Sequence, residues 1–139
     1  MHPFLRGLVG VVAGLIVGAL LVFAVQMVSH AMFAPATPVD RNDPAAVERF
    51  IAGLPLGAFL MVLLSYFIGT VVGSSTAARI GRSPVPSIIV TLLLFGAAVS
   101  NLVMIPHPWW MAVAVPTVYT VAGFIAWKLS SDLRALASA

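Results

Sequence analysis

Four stretches of this chain run for about 20 residues or more without an aspartate, glutamate, lysine or arginine, and that feature decides most of what it can become. They cover about 8–28, 51–77, 85–105 and 109–129, the last being free of charge as far as Lys128. A helix rising 1.5 Å per residue crosses a hydrocarbon core with about 20 residues. Charged residues make up 8% of the chain and hydrophobic ones 61%, whereas a soluble domain is about a quarter charged. A globule of 139 residues leaves much of its surface to water and has no means of hiding that much apolar area. Strand-like alternation is absent, which argues against a β-barrel. The expectation is an all-α integral membrane protein, an antiparallel four-helix transmembrane bundle forming one domain over 1–139, with lipid as its first partner.

The first stretch has a secretion-signal flavour, with Arg6 before it and "SHA" (29–31) after it. A signal core is usually 7–15 residues, so the longer stretch reads as a retained span. The chain contains no cysteine, which removes disulfides and thiolate chemistry from consideration. The pI of about 10.2 rests on scattered basic residues and carries no nucleic-acid footprint.

Charge orients the helices. Arg6, Arg79, Arg82, Lys128 and Arg134, five of the seven basic residues, fall on one side, while Arg41 and Arg49 share the other with Asp40, Asp43 and Glu48. Lysine and arginine accumulate on the cytoplasmic face. Both termini are therefore expected inside a bacterial-type inner membrane, with the 30–49 loop and the Pro106–Pro108 turn outside. In that loop Asp43–Pro44 reads as an N-cap and first helical position, and Leu54–Pro55 is expected to kink the entry to the second span.

Helices in lipid associate by close packing, which favours small residues at the contact. Gly10, Gly14 and Gly18 form one stripe on the first span, and Gly69 and Gly73 repeat it on the second. Gly96 and Gly123 offer single sites on the third and fourth. Such stripes serve either the internal packing or an oligomer contact, with the first span the expected oligomer face.

The polar residues fall into two layers. Ser65 and Tyr66 lie near the middle of the second span, and Tyr119 and Thr120 near the middle of the fourth, where Pro116 frees a carbonyl. They either satisfy one another or line a small midplane solute pocket. At the outer end His30 and His107 gather with Met27, Met104, Asp40 and Asp43. Thioether and imidazole suit copper(I), and imidazole with carboxylate suits zinc, so copper or zinc is the one cofactor these residues raise. Against that stands a plainer account of "NLVMIPHPWW" (101–110) as a tight turn beside an aromatic belt, with Asn101 bonded to a neighbouring helix and only His107 unexplained.

No charge lies mid-membrane, as coupled transporters generally require, and no nucleophile, base and orienting group assemble. The sequence therefore points to a non-enzymatic membrane component, a homo-oligomer or the accessory of another membrane protein. A small-solute permease and a metal-handling protein are the alternatives.

Overall fold

The structure, a computed structural model, describes residues 2–137, with side chains described as far as Asp132. The described residues form five helices and no strand: α1 (Pro3–Met32), α2 (Pro44–Ala52), α3 (Leu56–Gly81), α4 (Val85–Met104) and α5 (Met111–Ala137). Four of them, α1, α3, α4 and α5 as far as Asp132, are long and apolar enough to cross a membrane. Arg134, used above to orient the chain, has its side chain outside the described residues.

Local chemistry sets the boundaries. Pro3 opens α1, and His2 Nδ1 accepts a 3.3 Å hydrogen bond from the Phe4 amide. Asp43 caps α2, its carboxylate accepting from the Ala45 amide at 3.0 Å, with Pro44 following as the first helical residue. The expected kink at Leu54–Pro55 is a full break. The α2 helix stops at Ala52, Pro55 is extended at ψ 157°, and α3 begins at Leu56 rather than near Ile51. A proline disfavours helical geometry in the residue before it, so the long apolar run divides into a surface helix and a span. At the other end of α3, Arg82 terminates the helix in the left-handed region at φ 52°. This is the usual conformation just past a helix end, though glycine ordinarily occupies it.

The small residues set the packing. A Cβ placed on Gly10 would lie 2.6 Å from the Ala77 carbonyl oxygen. On Gly14 it would lie 2.6 Å from that of Gly73, and on Gly18 2.9 Å from that of Gly69. The sequence numbers fall along α3 as they rise along α1, so the two helices run antiparallel with backbones in contact. The α1 stripe is thus consumed inside the molecule. Val90 and Leu94 of α4 press into the same seam. Gly123 of α5 meets Thr91 of α4, its Cβ position 3.0 Å from the threonine methyl. Gly96 departs from the expectation of internal packing. It is exposed, and a Cβ there would meet nothing within 4 Å.

Helix α3 packs on α1, α4 and α5, and α4 also touches α1 and α5. The share of its apolar window that is buried, 39%, exceeds the 17–22% of the other three. The core therefore lies along α3, where Phe59, Tyr66 and Ala77 meet Val90, Leu94 and Ala98 of α4 and Met111, Val115 and Tyr119 of α5. Two ends can be distinguished. The terminal end carries Arg6, Arg79, Arg82 and Lys128; the loop end carries α2 and the 105–110 turn.

Candidate functional site

Four helices, α1, α3, α4 and α5, contribute to the polar layer. Asn101 Nδ2 of α4 donates to Tyr66 Oη of α3 at 2.9 Å, the cross-helix bond its position led us to expect. Ser65 Oγ donates to the Val62 carbonyl at 2.7 Å and accepts a long 3.5 Å contact from Gln26 Nε2 of α1. The Tyr66 and Tyr119 rings lie 5.6 Å apart, and Phe95 stacks on Tyr119 at 5.4 Å. Three of the four expected layer residues, Ser65, Tyr66 and Tyr119, are therefore buried together. Thr120 is not among them. It is exposed, and its hydroxyl donates to the Pro116 carbonyl of its own helix at 2.8 Å. Successive helical residues point about 100° apart, so placing Tyr119 inward turns Thr120 out.

A second polar group, missed in the sequence, lies nearer the terminal end. Ser74 and Thr91 share a 2.8 Å hydrogen bond between α3 and α4. Thr70 and Ser75 are buried nearby on α3 with hydroxyls that find no partner. The Thr70–Ser74 spacing of one helical turn, beside Gly73 and Ala77, is the signal that marks this face as internal.

Most of the residues considered for metal binding lie exposed or serve the loop. Met27 and Met104 are 55% and 83% exposed on outward faces, and His30 is exposed as well. Asp40 accepts from the Asn42 amide at 2.9 Å, and Asp43 caps α2 and faces Arg49 at 3.9 Å, so both carboxylates serve the loop. Among the described residues no three histidine, aspartate or glutamate side chains come together as a metal-holding group. His107 also has a structural use after all. Its Nδ1 lies 2.6 Å from the Ile105 carbonyl oxygen, within the turn imposed by Pro106 and Pro108.

The loop end does carry a concave feature. A cleft of about 470 Å³ opens between α2, the start of α3 and the 106–110 turn, walled by Ile51, Leu54 and Phe59 and by His107, Trp110 and Glu48. Phe59 and Trp110 meet edge to face, 5.9 Å apart and inclined at 81°. A second, shallower cleft of about 390 Å³ lies on the other flank of α2, beside Phe33, Arg49 and Phe50. Both clefts flank the Leu54–Pro55 break, where α2 ends and α3 begins.

Comparisons with protein-family models, curated proteins and solved structures return no match for this chain.

Proposed function

We propose that this chain is a small, non-enzymatic, multi-pass component of a bacterial-type inner membrane. Its four long helices form a transmembrane bundle with both termini cytoplasmic, and it acts by associating through an outward helix face with a second copy of itself. The observation that carries this reading is the contrast between the glycines. Gly10, Gly14, Gly18, Gly69 and Gly73 are locked into backbone contacts within the chain, while Gly96 faces open space. Ala97 and Ser100 are exposed beside it, so α4 presents a small-residue face that the chain itself leaves uncovered. In lipid such faces allow two backbones to approach closely. The oligomer contact thus moves from α1, where the sequence placed it, to α4.

The permease alternative draws less support. The Tyr66, Asn101, Ser65 and Gln26 groups are committed to one another, and Tyr119 is sandwiched between Tyr66 and Phe95. The two clefts described lie at the loop end rather than beside this layer.

Gly96→Leu tests the proposal. A Cβ added there meets no atom of its own chain within 4 Å, so the variant should insert and fold normally but run as a smaller particle than the wild type in native electrophoresis. Equal particle sizes for the two would remove the α4 face from the account.

A further inference from the structure

The larger loop-end cleft has a chemistry that association through α4 does not use. Its volume, about 470 Å³, falls within the roughly 300–1,000 Å³ typical of small-ligand sites. Its walls are mostly apolar, and Glu48 is the one aspartate, glutamate, lysine or arginine side chain that lines it. Arg49, the next residue, borders the other cleft, where it bonds to the Ala45 carbonyl at 3.1 Å and lies 3.9 Å from Asp43. Consecutive positions on α2 therefore separate the two charges, and among the described residues Glu48 forms neither an ion pair nor a side-chain hydrogen bond.

His107 adds a defined polarity. A carbonyl oxygen only accepts, so the 2.6 Å contact with Ile105 requires Nδ1 to carry the proton. The neutral ring then has Nε2 left as an acceptor. Pro106 and Pro108 have no amide N–H to offer. The lining thus holds one carboxylate and one imidazole acceptor beside apolar walls. Trp110 supplies an indole N–H and a π face that attracts cations.

We propose that this cleft binds a primary ammonium group carried on an apolar body. The ammonium donates to the Glu48 carboxylate and to His107 Nε2, and the apolar part lies against Ile51, Leu54, Phe59 and Trp110. Two sources share this chemistry, an aminophospholipid headgroup entering from the bilayer and a soluble aromatic amine entering from water.

The test uses the full-length protein in phosphatidylcholine nanodiscs. One arm titrates phenethylamine, with its N,N,N-trimethyl analogue as control, and follows tryptophan emission. The other arm dopes in phosphatidylethanolamine and counts retained lipid by native mass spectrometry. Saturable binding of the primary amine, at least about tenfold tighter than the trimethyl analogue, is expected, because hydrogen bonds to charged groups are strong enough to give that ratio. Glu48→Gln, on an exposed position of a surface helix, should keep the circular dichroism spectrum and lose about tenfold or more in affinity or retention. Retention of phosphatidylethanolamine alone identifies the lipid headgroup as the ligand, and binding of phenethylamine alone identifies a soluble amine. Saturable binding in neither arm overturns the proposal. So does equal affinity for primary and quaternary amines where phenethylamine binds, or an unchanged Glu48→Gln variant.

Discussion

Replacing Gly14 with alanine adds one methyl group, and the structure predicts that this methyl group pushes two helices apart. The new Cβ would lie 2.6 Å from the Gly73 carbonyl oxygen, 2.7 Å from the Ala77 Cβ and 3.2 Å from a Val90 methyl. Ordinary contact begins near 3.4 Å, so α1 and α3 must separate locally by the difference of 3.4 and 2.6, about 0.8 Å. The neighbouring crossings at Gly10 and Gly18 resist that shift, and forced overpacking of this kind costs about 1–3 kcal/mol. An opposing effect favours the variant, because alanine is a better helix former than glycine by about 0.8–1.0 kcal/mol. The difference leaves Gly14→Ala less stable by up to about 2 kcal/mol. Gly96→Ala isolates the opposing effect, since its methyl group meets nothing within 4 Å. That variant should be neutral or up to about 1 kcal/mol more stable. Unfolding in mixed dodecylmaltoside and dodecyl sulfate micelles, followed by circular dichroism at a dilution that separates oligomers, measures both. Gly73→Ala approaches the same crossing from the other helix, with its Cβ 2.6 Å from the Gly14 carbonyl oxygen. It should match Gly14→Ala and combine with it non-additively. Equal stability of the Gly14 and Gly96 variants would refute the reasoning.

The Asn101–Tyr66 bond should contribute modestly: a double-mutant cycle with Asn101→Leu and Tyr66→Phe should return a coupling of about 0.6 kcal/mol and no more than about 1.7. A coupling of zero would mean that the 2.9 Å contact adds nothing to stability. Topology can be read in this cysteine-free chain from Thr37→Cys and Ser83→Cys. An impermeant maleimide applied to intact cells should label the first and spare the second, and the reverse pattern would invert the assigned orientation.

The gross architecture is readable in the sequence because the absence of charge acts over whole segments. The span ends near Ala77, Val85 and Ile105 fall within a few residues of the observed helix ends at Gly81, Val85 and Met104. Where the chain departs from expectation, a choice between faces or between continuing and breaking was involved. Hydropathy alone leaves open whether Pro55 kinks a helix or ends it, because Ile51–Leu54 is apolar on either reading. The expected kink passed over a signal for a full break: Gly53 and Pro55 punctuate the run twice within three positions. The stripe Gly10–Gly14–Gly18 looks alike whether it meets α3 or another molecule. Only the partner stripe at Gly69, Gly73 and Ala77, running the opposite way, decides the matter. Gly96 and Gly123 are equivalent in sequence, yet one faces outward and the other meets Thr91. Tyr119 and Thr120 compete for one inward position, and the larger aromatic takes it. The loop-end cleft was not legible, because it brings α2, the start of α3 and the 106–110 turn together, a placement set by three-dimensional packing rather than by periodicity.

Association through α4 is the central claim, and oxidative crosslinking in native membranes tests it most directly. A single cysteine at Ala97, beside the open Gly96 position, should meet its counterpart across a close two-fold contact, since a disulfide needs Cα atoms about 4.4–6.8 Å apart. Val12, exposed on the outward face of α1, provides the control. The account predicts that Ala97→Cys converts to a species of twice the 14.6 kDa chain mass while Val12→Cys stays monomeric. A monomeric Ala97→Cys under oxidation, or equal crosslinking at both positions, would contradict it.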